Sequence, residues 1–348
     1  MKSESYQEII EKHYGEKYPD FCGEQLFADN KKYAIINKLN GIVRWRYSFK
    51  IWRGYTLANL RLFFALLFKR CYYGPFKGEF GNFLGHNLPF LAYLHSKGVK
   101  IYYCGMLLHK PFLVDENGKN IVEWICVLRD FFLEVSPSQN DTVPPPDVQK
   151  QINDFEHQAK KSIYPYFNIG DPYYYWFIHR SWMLKGFMKT IDYSKVYKTK
   201  VENSIVIFPR SKGAKSTPNN GEAWDWEEVA MAVSPYFDKV YILGHPAFSS
   251  PLVSQDNIEV VITDNNAKIL EKCCNSKLII TQHSGTCYLG EYTNCQVLII
   301  FKGKLPIVGI NDSIIFKEFL GKKFPFAFAF SLDKIKDYVK IFRSIPQK

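Results

Sequence analysis

A histidine and a carboxylate stand inside a glycine-rich run, Gly78-Glu79-Phe80-Gly81-Asn82-Phe83-Leu84-Gly85-His86-Asn87-Leu88-Pro89. Glycines at this density mark a backbone that passes close to something or adopts conformations closed to other residues. His86 and Glu79 are the groups in the run that can take a proton, so it suits removal of a proton from an attacking hydroxyl. Gly81, Asn82 and Gly85 would then line the bed of the molecule carrying that hydroxyl. The spacing Gly78-x-x-Gly81-x-x-x-Gly85 is not that of a dinucleotide fingerprint, which places a substrate loop here rather than a cofactor turn.

A second constellation lies far along the chain, at His283-Ser284-Gly285-Thr286-Cys287-Tyr288-Leu289-Gly290-Glu291. A Ser-Gly-Thr turn at the start of a helix offers backbone N–H groups and hydroxyls at the positive end of the helix dipole, the environment a diphosphate requires. His283, Ser284, Gly285 and Thr286 are therefore candidate donor-side contacts. Glu291, six residues beyond Gly285, is placed to accept hydrogen bonds from two ribose hydroxyls. A basic loop, Pro209-Arg210-Ser211-Lys212-Gly213-Ala214-Lys215, supplies Arg210, Lys212 and Lys215 to hold a departing diphosphate. His245, after Tyr241-Ile242-Leu243-Gly244, is a further contact candidate, and Thr263 and Asp264 border the same edge.

These residues need a scaffold that brings strand ends together. Residues 204–208, 239–244, 258–263, 277–282 and 296–301 are compact runs rich in Val and Ile, separated by stretches able to form helices, which predicts a parallel sheet covered on both faces. Residues 224–237 and a segment capped by Asp264 and running to Cys274 read as helices. In the first half, residues 71–76 and 100–104 read as parallel strands around a helix over 87–97, closed by Gly98. Residues 123–132 and 148–161 are expected to be helical, and 173–190 to pack on the sheet. At 348 residues two domains are expected, 1–198 on the acceptor side and 199–348 on the donor side, with the boundary in the polar stretch 194–203.

Composition narrows the class. With 47% hydrophobic and 23% charged residues the chain is globular rather than disordered. No run reaches the roughly 18 to 20 apolar residues of a membrane span, and the first twenty residues lack the apolar core of a secretory signal, so a cytoplasmic location is expected. Eight cysteines without a C-x-x-C pair read as reduced, buried thiols. The net charge of +11 is uneven, since from Gly41 to Gly78 there is no Asp or Glu while Arg44, Arg46, Lys50, Arg53, Arg61, Lys69, Arg70 and Lys77 are basic. Interleaved aromatics there suit an anionic membrane surface or a phosphate-bearing acceptor; nucleic acid is not the expected partner.

The C-terminal pattern resembles the nucleotide-sugar-binding domain of GT-B glycosyltransferases, built from two facing Rossmann-like domains. Ser284, Gly285 and Glu291 have the spacing found in the peptidoglycan N-acetylglucosaminyltransferase family, where a Ser-Gly turn precedes a ribose-binding Glu. The order of 208–226, 241–244 and 278–289 is similar to that of the lipopolysaccharide heptosyltransferases. Those enzymes resemble Gly81-Asn82 with a Gly-Asp pair whose Asp is the presumed base. Here that position holds Asn82, which cannot take a proton, and an extra residue intervenes before Pro89.

The departure moves the expected base to His86, three residues before Pro89 as in the peptidoglycan family, or to Glu79. The resemblance implies transfer of a sugar from a nucleotide-sugar donor to a glycan or lipid-linked acceptor, in surface polysaccharide synthesis, with inversion. No cofactor or metal is expected, because the Asp-x-Asp motif of metal-dependent transferases does not occur. A nucleotide-sugar 2-epimerase of the same fold, or a non-enzymatic nucleic-acid or membrane binder, are the alternatives.

Overall fold

In a computed structural model the described residues are 41–77, 80–135, 143–162, 167–169, 189–200, 202–210, 224–249, 252–282, 284–293, 295–300, 326–329 and 331–344. The expected α/β class is the one observed, with two parallel sheets and helices packed against them. Helix α1 (Gly41–Phe68) leads through a tight turn at Lys69 into β1 (Arg70–Phe76). The glycine-rich loop then opens α2 (Leu88–Ser96), which Gly98 ends at φ +72°, a conformation that costs glycine little. Strand β2 (Lys100–Met106) returns parallel to β1, completing the expected strand-helix-strand unit.

The helix expected over 123–132 is instead strand β3 (Glu123–Leu128), parallel to β2. Within it Cys126 and Leu128 are buried while Ile125 and Val127 are exposed, an alternation of period two that an edge strand with one covered face produces. The cover is α3 (Pro146–Ser162), whose Val148, Ile152, Phe155 and Ala159 recur at helical spacing and are buried against Tyr72, Cys104 and Leu128. At the other edge Tyr72 exchanges backbone bonds with Phe167 and Ile169. The packing expected for 173–190 lies almost wholly outside the described residues.

The second sheet contains β4 (Ser204–Phe208), β5 (Lys239–Gly244), β6 (Ile258–Ile262), β7 (Leu278–Gln282), β8 (Gln296–Ile300) and β9 (Phe326–Ala329). Five of these match the expected runs to within a residue at each end. All pair in parallel, in the order β6-β5-β4-β7-β8-β9. Helix α4 (Trp226–Val233), capped by Asp225 through Glu228 N–H at 3.0 Å, lies on the outer face with α7 (Leu332–Ser344). Helix α5 (Asn266–Asn275) and α6 (Leu289–Thr293) lie on the inner face. The cap of α5 is Asn265, not Asp264: its carboxamide accepts from Ala267 N–H at 3.0 Å.

The inner face does not end at a boundary of its own. Val206, Phe208, Leu243, Ile269 and Leu289 belong to one apolar cluster with Tyr73, Phe83, Phe90 and Phe112 of the first half. Tyr193 joins the halves as well, its N–H donating to Tyr292 carbonyl at 2.8 Å and its hydroxyl to Phe112 carbonyl. The two halves thereby share one core.

Candidate functional site

Strand order locates the crevice. In β6-β5-β4-β7-β8-β9 the chain winds outward from β4 in one direction and from β7 in the other, so the connections after these two strands leave on opposite faces and open a gap at their carboxyl ends. The loop after β4 carries Arg210, and the loop after β7 carries Ser284, Gly285 and Thr286. All four line one cavity, together with His245 from the end of β5 and Gly81 from the first half. Both glycine-containing loops read from the sequence therefore border the same space.

They also touch. A Cβ placed on Gly285 would lie 2.4 Å from Gly81 N and 2.7 Å from its Cα, so the backbones are packed against one another with no room for a side chain. A Cβ on Gly81 would meet Gly285 Cα at 3.2 Å, a milder conflict. Gly85 is buried against the Tyr288 ring, two of whose atoms would lie 3.2 Å from an added Cβ. Tyr292 donates its hydroxyl hydrogen to Leu84 carbonyl, and burial raises that phenol well above its ordinary range, so it remains a donor.

Between Gly81 and Pro89 the chain makes one helical turn (Phe80–Asn82), then a π turn (Phe83–Asn87), then α2. A π turn takes up one more residue than an α turn. Pro89 follows in the first turn of α2. His86 belongs to the π turn and Asn82 to the turn before it. The side chains of both, and Glu79, Lys212, Lys215 and His283 altogether, lie outside the described residues.

On the donor side, Ser284 is extended (φ −155°, ψ 177°) and its side chain does not cap the 3₁₀ turn Gly285–Tyr288 that follows. Its hydroxyl is 2.6 Å from that of Thr286, which is 2.6 Å from that of buried Thr281. This chain of hydroxyls fixes the loop without a charged group, leaving Arg210 as the described cation of the lining. Glu291 follows in α6 and is 1% exposed, outside the lining of the cavity. The expected helix begins as a 3₁₀ turn, which advances about 120° per residue instead of about 100°. The 3₁₀ start changes the phase of Glu291 relative to Gly285 from that of a continuous α-helix.

His245 spans the gap. Its Nδ1 accepts from Ala247 N–H at 3.0 Å, so Nε2 carries the hydrogen and donates to Asp130 Oδ2 at 2.7 Å, beyond the end of β3. Burial would raise the Asp130 carboxyl, but the hydrogen bond from His245 and those from Phe132 and Phe131 N–H outweigh it and hold it below its ordinary value. With both nitrogens engaged, His245 ties the first half to the second. Asn266 makes a similar tie, donating to Leu108 carbonyl at 2.7 Å.

Several lining residues escaped the sequence reading, His109 the titratable one among them. His109 sits in a 3₁₀ turn (Leu107–Phe112) after β2, stacked on Phe83 at 4.0 Å, with 1% exposure and a buried Nδ1 that has no hydrogen-bond partner among the described residues. Burial lowers it to about 3, against a small opposing effect of Asp130, so at neutral pH it is an uncharged imidazole in the wall of the cleft. The signal available was its place just past the carboxyl end of a parallel strand.

Fold and site define a two-sheet α/β protein with a crevice at a topological switch point. No family model and no curated protein matches the sequence. Among solved structures, E. coli heptosyltransferase WaaC with ADP aligns over 78% of this chain and 99% of its own, at 9% identity and a TM-score of 0.48. The same E. coli enzyme with ADP-2-deoxy-2-fluoro heptose gives 9% identity, the same coverage and a TM-score of 0.45. The glycosyl transferase family 9 structure from Veillonella parvula gives 11% identity, 80% and 90% coverage, and 0.46. These are likenesses of outline, and the functional reading rests on the chain's own geometry.

Proposed function

We propose that the chain is a glycosyltransferase moving a sugar from a nucleotide-sugar donor to a hydroxyl of a glycan or lipid-linked acceptor. The observation that carries this reading is the contact of Gly81 with Gly285 at the switch point, which sets a proton-accepting loop against an anion-receiving turn. In this reading the diphosphate lies across the Gly285–Thr286 N–H groups and Arg210, and its charge falls to them rather than to a metal ion. His86 takes the acceptor proton as the acceptor oxygen bonds to the anomeric carbon. The bond from that carbon to the diphosphate oxygen breaks, its electron pair leaving with the nucleoside diphosphate, and the configuration inverts.

Thermal unfolding and calorimetry with UDP, GDP, ADP and CMP sugars test the reading. One nucleotide class should raise the melting temperature, and Arg210→Ala should weaken its binding about 10- to 100-fold, the worth of a charge-assisted hydrogen bond. Stabilisation by none of them would refute it.

A further inference from the structure

The cleft leaves one conspicuous feature of the first half unused. Helix α1 buries Leu62 and Ala65 against the core, whereas Leu57, Leu60, Phe63 and Leu67 are 46%, 47%, 59% and 60% exposed. At about 100° per residue these four fall within an arc of about 120° opposite the buried pair. Phe64 falls in the same arc and Phe68 borders it, and both stack on Phe167, at 5.9 and 5.7 Å. Four large apolar side chains in one solvent-facing row form a contiguous patch, which marks a surface that meets something apolar. Arg53 shares the stripe and Arg61 borders it, both exposed.

We propose that this face of α1 rests in the headgroup and upper acyl region of an anionic lipid surface, with the helix lying in the plane of the membrane. Charge selects this occupant. The stretch from Gly41 to Gly78 has no acidic residue and eight basic ones, so an anionic surface is attracted along the length of the helix. Leucines at the centre of the row have nothing to gain from a nucleic-acid backbone, whereas an interface of headgroups and chains buries them while leaving the guanidinium groups wet. No helix among the described residues is long and apolar enough to cross a membrane, so the contact is one of lying on the surface. It stands apart from the donor cleft and requires no nucleotide.

The test is flotation of the full chain, without nucleotide, with vesicles of phosphatidylcholine alone and of equimolar phosphatidylcholine and phosphatidylglycerol. The protein should float with the anionic vesicles only, and less so as salt is raised. Arg53→Glu with Arg61→Glu should weaken binding by about 30-fold or more, and Leu60→Ser with Leu67→Ser should abolish it. Unchanged melting of both double variants would show that they are folded. The proposal is overturned if the wild-type chain floats with neither vesicle, if the variants bind as it does, or if sedimentation shows a dimer that Leu60→Ser with Leu67→Ser dissolves.

Discussion

The loops that meet at Gly81 and Gly285 are constructed differently. After β7 the chain makes a plain strand-turn-helix connection, its conformation held by three short-range hydroxyl contacts and its location dictated by strand order. After β1 the chain fits an extra residue into a π turn and relies on the opposite half for support, from Tyr288 against Gly85 and Tyr292 on Leu84 carbonyl. The donor-side loop is thus a property of its own sheet, and the acceptor-side loop is completed by its neighbour.

The largest expected effect separates the sides by chemistry. His86→Ala should lower sugar transfer at least about 100-fold, the usual contribution of a positioned base, while calorimetric affinity for the nucleoside diphosphate stays within a factor of two or so. Near-normal turnover would move the base elsewhere on the acceptor side. Next is the glycine contact itself. Gly285→Ala forces a methyl against Gly81 backbone at 2.4 Å and should cost about 1–3 kcal/mol in denaturant unfolding together with most nucleotide binding. Gly81→Ala meets only Gly285 Cα at 3.2 Å and should cost less than about 1 kcal/mol. Equal losses would mean that the contact is not the tight joint described.

A pH experiment sharpens the acceptor wall. Because His109 is lowered to about 3 when folded, against roughly 6.5 in the unfolded chain, the unfolded state binds the extra proton between these values. Stability conferred by the neutral ring is therefore complete above about pH 6.5 and declines as pH falls toward 3, by about 2 kcal/mol at pH 5. His109→Phe should remove that slope from the denaturant midpoint measured against pH. Asp130 is held below its ordinary carboxylate value, so its contribution is lost only at lower pH and leaves the pH 5 to 6.5 window to His109.

The smallest effect falls on Glu291. A ribose contact predicts weaker nucleotide binding for Glu291→Gln; its buried place outside the lining predicts a loss of about 1 kcal/mol in stability with binding unchanged.

How far the sequence could be read differs between the same two regions. Buried strands such as Ser204–Phe208 and Leu278–Gln282 are compact apolar runs bounded by breakers, and a parallel sheet covered on both faces leaves little else for them to be. The Ser-Gly turn was legible because it follows such a run. β3 was not, because Glu123–Leu128 has one exposed face carrying Ile125 and Val127, and a short mixed run reads equally as helix. That Glu291 lies buried outside the cavity lining is not something its spacing from Gly285 reveals. His109 offers only its place past the end of β2 as a signal, and the fold brings it to the cleft.

The most direct test of the central claim is a crystal structure with the nucleoside diphosphate that stabilises the protein most. The diphosphate should lie on the Gly285 and Thr286 N–H groups within hydrogen-bond reach of Arg210, beside Gly81. A diphosphate bound at any other place, with this crevice empty, would contradict the account.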